Sequence, residues 1–184
     1  MTKAALPGDN LFQPMQAEEA METKNKIKLL LVDDEEKFLN AIADRLTIKG
    51  FDVMTATNGE AAIEAVNNGQ FDVAVLDLQM PGTDGAQLLK ILKTNHRFIE
   101  IIMLTGHATV DAAVECTKLG AFKFLEKPYD FDKLVEAFKE AYTARMHKKY
   151  ERDQERIAKI QKMAMGQSPL GLLKEMARLD DGEK

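Results

Sequence analysis

Five times between residues 27 and 142 a short apolar run gives way to a segment of helical period, and no other property restricts the fold of this chain as much. The runs cover 27–32, 51–55, 73–76, 101–104 and 121–125. Each is too short for an ordinary helix and dominated by Val, Ile, Leu or Phe, as strands buried on both faces of a parallel sheet are. The intervening pattern is helical: Phe38, Leu39, Ile42, Leu46 and Ile48; Ala61, Ala62, Ala65 and Val66; Leu88, Leu89, Ile91 and Leu92; a helix over 109–119; then Phe131, Leu134, Val135, Phe138 and Tyr142. Gly50, Gly69 and Gly120 stand where helices stop; Thr57 or Asn58, and Thr83 or Asp84, stand where helices are capped. Strands and helices alternating through short loops predict an α/β fold, a five-stranded parallel sheet with helices on both faces.

Sheets of this kind bind ligands outside the carboxyl ends of their strands. Asp33 and Asp34 follow the first run, Asp77 the third, Thr105 the fourth and Lys127 the fifth. A carboxylate is costly inside a core, so these polar groups are expected on one rim, facing a crevice. Three carboxylates brought together repel unless a cation neutralises them, and an oxygen-only set without His or Cys suits Mg²⁺. With Mg²⁺ and the Lys127 ammonium the formal charge is close to zero, so a phosphoryl group can approach. Aspartate is a competent nucleophile toward phosphorus, and Asp77, with Thr105 and Lys127 on the phosphoryl oxygens, is placed for in-line transfer.

The segments LLLVDDEE, VLDLQMPGTDG, IIMLTGHA and KFLEKP, in that order and spacing, resemble the receiver domain of bacterial two-component response regulators, of the chemotaxis-regulator type. The resemblance spans residues 27–142 and implies a flavodoxin-like fold. It implies that a histidine kinase or a phosphotransfer protein phosphorylates Asp77. Asp34 then touches the metal directly, Asp33 through water, and Gln79 lends its backbone carbonyl. Thr105 matches the hydroxyl that senses the phosphoryl group, Lys127 the lysine that pairs with it, and Phe124 the switch aromatic. Pro128 falls where the family often has a cis peptide. Movement of Thr105 and Phe124 would reshape the face made by the fourth helix, fifth strand and fifth helix, where a downstream protein docks. His107 and Gln79 are expected to tune how long the acyl phosphate lasts.

Of 184 residues 45% are hydrophobic and 30% charged, which excludes global disorder. No apolar run is long enough to span a membrane and no signal peptide is evident, so the expected location is the cytoplasm. Cys116 is the single cysteine and reads as a small buried hydrophobe. The three histidines show no metal-ligand spacing. Residues 27–142 carry 12 basic and 19 acidic groups, and residues 143–184 carry 10 and 7. The acidic body argues against a nucleic-acid surface there.

Residues 1–26, without sustained period, read as a disordered leader, 27–142 as the receiver domain and 143–184 as a helical extension. The last helix is expected to run on to Gly166, with Tyr142, Met146, Tyr150, Asp153, Ile157, Ile160 and Ala164 forming a short coiled-coil-like seam. That seam can make a homodimer, fold back as a helical hairpin or dock on a partner, while Arg145, Lys148, Lys149 and Arg152 lie on other faces. Ser168 and Pro169 begin a second short helix. The expected function is therefore a phosphoacceptor signalling protein rather than an enzyme, acting through protein contacts without a separate output domain. Two rivals are a transcriptional regulator binding DNA through the basic helix and a Mg²⁺-dependent aspartyl phosphohydrolase. The latter wants a general acid just beyond Asp77, where Leu78 and Gln79 offer none.

Overall fold

The computed structural model describes residues 26–82, 84–106 and 108–164. Along the chain come β1 (Lys28–Val32), α1 (Glu36–Ile48), β2 (Asp52–Ala56), α2 (Gly59–Asn68), β3 (Val73–Leu76), α3 (Gly85–Asn95), β4 (Glu100–Thr105), α4 (Val110–Lys118), β5 (Lys123–Glu126) and α5 (Phe131–Ala164). The sheet order is β2-β1-β3-β4-β5 and each neighbouring pair is parallel. The expected α/β fold, with its long last helix, is the one this chain forms.

Alternate side chains of each strand feed two cores. Leu29, Leu31, Val73, Val75, Ile102 and Leu104 pack with α1 and α5 through Leu39, Ile42, Leu46, Leu134 and Phe138. Leu30, Ala74, Leu76, Ile101 and Met103 pack with α2, α3 and α4 through Ala62, Val66, Leu88, Leu89 and Cys116. Burial of each large apolar side chain contributes about 1.5–3 kcal/mol, which is why β3, covered on both sides, needs no polar residue. Cys116 is buried, as its place in a helical pattern implied.

Two residues counted in the helical stripes fall off them. Ile48 is 86% exposed and Ile91 38% exposed. Each lies two residues from a buried leucine, about 200° around the helix, so both turn toward solvent. Helix starts follow the capping chemistry. Asn58, Asp84 and Thr109 accept main-chain N–H bonds from Ala61, Ala86 and Ala112, and Asp130 accepts one from Asp132. Gly50 and Gly120, just past α1 and α4, adopt φ of +92° and +96°, which favours glycine.

Helix α5 continues well beyond its buried face. Arg145 and Lys148, expected on solvated faces, instead pair with Asp72 and Glu100 at the amino ends of the strands. They lie close enough to the sheet because α5 crosses β3 and β4. Met146, Tyr150 and Ile157 of the seam remain exposed. The expected leader up to residue 25, the stop at Gly166 and the helix after Ser168 and Pro169 lie outside the described residues. Among the described residues no helix is long and apolar enough to cross a membrane.

Candidate phosphoacceptor site

The strand ladders set the site. Past the end of β1, Asp33 N–H still donates to Ala56 O at 3.2 Å; past β3, Asp77 N–H donates to Val32 O at 2.9 Å; past β5, Lys127 N–H donates to Thr105 O at 2.8 Å. These bonds carry strand geometry one residue further and hold the three side chains at one rim. Asp33 is 4% exposed and Asp77 9%, while Asp34 is open to solvent. One carboxylate oxygen from each of Asp33, Asp34 and Asp77 lies within 4.8 Å of the others.

Lys127 enters this cluster from β5. Its ammonium donates to Asp33 Oδ2 and, at 3.2 Å, to Asp77 Oδ2. Burial works against its charge, but the hydrogen bond and charge of Asp33, joined by Asp77, outweigh that and hold it above its ordinary value. Three carboxylates against one ammonium leave the cluster with surplus negative charge. Hard oxygen donors at this spacing, with no His or Cys among them, fit a divalent cation of the Mg²⁺ type.

Thr105 is fully buried at the end of β4. Phe124 is opposite Met103 in the β4–β5 register and packs against the α2–α3–α4 core. Thr105, two residues beyond Met103, shares that sheet face with it. Gln79 donates its N–H toward Asp77 Oδ1 at 3.4 Å and forms an antiparallel bridge with Asp84. Lys127–Pro128 is a cis peptide. His107, and Thr83 as a helix cap, lie outside the described residues.

The response regulator receiver domain model matches residues 29–139. The chain belongs to that family. A curated relative from Rickettsia felis, described as response regulator NtrX-like, is 34% identical over 119 residues, which are 64% of this chain and 25% of that protein. The chain thus spans about a quarter of the length of such relatives. Among solved structures, the beryllofluoride-activated NtrC4 receiver domain dimer is 34% identical, with a TM-score of 0.61 over 64% of this chain and 98% of that one. The response regulator TrrA of Thermotoga maritima in complex with Mg²⁺-BeF is 28% identical, with a TM-score of 0.58 over 62% of this chain and 98% of that one.

Three features of this receiver domain were not singled out in the sequence. The Phe38 ring, which reads as core, lies 4.2 Å from the Lys127 ammonium. Tyr129 meets Phe38 edge-on at 6.2 Å between centroids. Gly85, the first residue of α3, lies so close to the loop after β3 that a Cβ there would fall 2.1 Å from Asp77 O and 2.7 Å from Leu78 Cα. The motif ends in Gly85, but nothing local tells a close approach from a helix start. Gly85→Ala must therefore push the Asp77 loop aside, and is expected to cost about 1–3 kcal/mol in urea unfolding. A cost below a few tenths would show that the loop retreats freely.

Burial pushes the Tyr129 phenol up to about 12; the Arg45 charge opposes this and Asp33 adds to it. The folded state binds this proton more tightly than the unfolded chain, whose phenol titrates near 10.0. Stability from this group is therefore complete below pH 10 and declines as pH rises toward 12. Phenolate absorbance during alkaline titration, compared with Tyr129→Phe, is expected to show one late-ionising tyrosine.

Proposed function

We propose that Asp77 accepts a phosphoryl group from a histidine kinase or phosphotransfer protein in the cytoplasm, and that the chain signals through protein contacts altered by that event. The observation that carries this reading is the buried Asp77 carboxylate, in reach of both the Lys127 ammonium and the acids Asp33 and Asp34. An Asp77 carboxylate oxygen attacks phosphorus, the bond from phosphorus to the donor breaks, and the donor group leaves with that electron pair. Lys127 then shifts from Asp33 to the phosphoryl oxygens, and Thr105 donates a hydrogen bond to them. Mg²⁺, held by Asp33, Asp34, Asp77 and the Gln79 carbonyl, would supply the positive charge that the surplus of carboxylates calls for.

Thr105 and Phe124 form the switch in this reading, supported by their common face on adjacent strands. The surface of α4, β5 and α5 is then the target face, residues 27–142 act as the receiver body and 143–184 as its extension. The exposed seam of Met146, Tyr150 and Ile157 supports pairing of two copies through α5. The test is acetyl phosphate with Mg²⁺, read by intact mass, with the adduct mapped by peptide fragmentation and size followed by light scattering. One phosphoryl group on Asp77 is expected; an adduct elsewhere, or none, sinks the reading. Lys127→Met, which removes the phosphoryl partner, is expected to slow labelling about 100-fold or more. An unchanged rate would remove Lys127 from the chemistry.

A further inference from the structure

At the rim opposite Asp77 a cleft of about 460 Å³ opens between the loop into β3, the α3–β4 loop and the part of α5 beyond Tyr142. That volume is typical of small-molecule sites. Arg97, Arg145 and Arg152 line it beside the rings of Phe71 and Phe98, and none of its described lining residues is Asp or Glu. The body around it carries 12 basic against 19 acidic residues over 27–142, so a wall free of carboxylates departs from the chain's own average.

The guanidinium groups are held in place by contacts of their own. Arg97 and Arg152 stack on Phe98, with guanidinium carbons 5.1 and 4.8 Å from the ring centroid. Asp72 anchors Arg145 at 3.0 Å, and the buried Arg145 Nε has no hydrogen-bond partner among the described residues. Partial burial, then the like charges of Arg97 and Arg156, push the Arg152 guanidinium below its ordinary value, and the charge of Asp153 opposes this. Three guanidinium groups thus face one cleft, with Asp72 paired to Arg145 and Asp153 acting on Arg152 from beside it. Guanidinium forks match phosphate oxygens two at a time, and groups already positioned lose little entropy when an anion arrives.

We propose that this cleft binds a small phosphate-bearing polyanion, its oxygens taken by Arg97, Arg145 and Arg152. A half-open cleft of this volume suits a small molecule better than a duplex or an extended acidic peptide. Because Arg97 belongs to the sheet's loops and Arg145 and Arg152 to α5, the anion ties the helical extension to the receiver body. The site shares no residue with the Asp77 rim.

The test is calorimetric titration of the full chain with inorganic phosphate, pyrophosphate and tripolyphosphate, at constant ionic strength and without Mg²⁺. Affinity is expected to rise with ligand charge. Arg97→Gln and Arg152→Gln, with folding checked by circular dichroism, are each expected to weaken tripolyphosphate about tenfold or more, as loss of a charged hydrogen bond does. If Arg152→Gln fails to fold, Arg97→Gln, in an exposed loop, carries the test. Asp77→Asn is expected to bind as the wild type does, which separates the two rims. The proposal is overturned by no binding at millimolar tripolyphosphate, by arginine variants that bind normally, or by loss of binding in Asp77→Asn alone. It is equally overturned if duplex DNA or an acidic peptide binds through Arg152 and tripolyphosphate does not displace it.

Discussion

Asp77→Asn is expected to take up no phosphoryl group from acetyl phosphate under conditions that label the wild type fully. The amide keeps the size of the side chain but lacks the anionic oxygen that attacks phosphorus. Asp33 and Asp34 lie nearby, yet Asp33 holds its Oδ1 on the Glu35 N–H at 2.9 Å and its Oδ2 on Lys127. Asp34 is exposed, where water competes for the donor. The variant is expected to fold, and without Mg²⁺ to be at least as stable as the wild type. Three carboxylates within 4.8 Å share one ammonium, so removing one charge relieves repulsion. Intact mass measures the first effect and thermal unfolding the second. A labelled variant would falsify the assignment of Asp77, whereas an unlabelled but unfolded one would place its role in stability.

At the other end of the sheet, Lys93→Met is expected to destabilise the protein by about 3 kcal/mol. Glu100 is fully buried at the start of β4, with Lys93 Nζ at 3.0 Å and Lys148 on its other oxygen. Lys93 also donates to Ile99 O at 2.7 Å. Burial pushes the Lys93 ammonium below its ordinary value, and the charge and hydrogen bond of Glu100 offset only part of that. The pair thus contributes little net stability, but breaking it strands a buried carboxylate with a half-exposed lysine as its remaining ion-pair partner. Replacing both groups, in Lys93→Met with Glu100→Leu, is therefore expected to recover most of the loss. Urea unfolding of the single and double variants measures this. If the single variant costs under about 1 kcal/mol, Lys148 alone satisfies Glu100, and the coupling argument fails.

The same carboxylate marks where sequence reading ran short. Residues 101–104 read as an apolar strand that leaves Glu100 outside it, whereas β4 begins at Glu100. Its burial depends on Lys148, 48 residues away on α5. The seam of α5 was legible as a period of apolar residues, but that Arg145 and Lys148 turn inward depends on where α5 crosses the sheet, which no local pattern records. Likewise Phe38 has the spacing of a core residue on α1, and only the reach of Lys127 from past the end of β5 to Asp33 sets its ammonium against that ring.

By itself the sequence determined the order of strands and helices, the capped helix starts and the rim to which Asp33, Asp34, Asp77, Thr105 and Lys127 go. These depend on periodicity and on bonds spanning a few residues, and a parallel sheet then carries every strand end to one side. Only the tertiary structure decided that Lys127 bridges Asp33 and Asp77, that Gly85 presses on the Asp77 loop, and that Arg97 and Arg152 share the Phe98 ring. Each of these joins groups from different elements. Their meeting is set by how helices pack on the sheet, a property of the assembled cores rather than of any one stretch of chain.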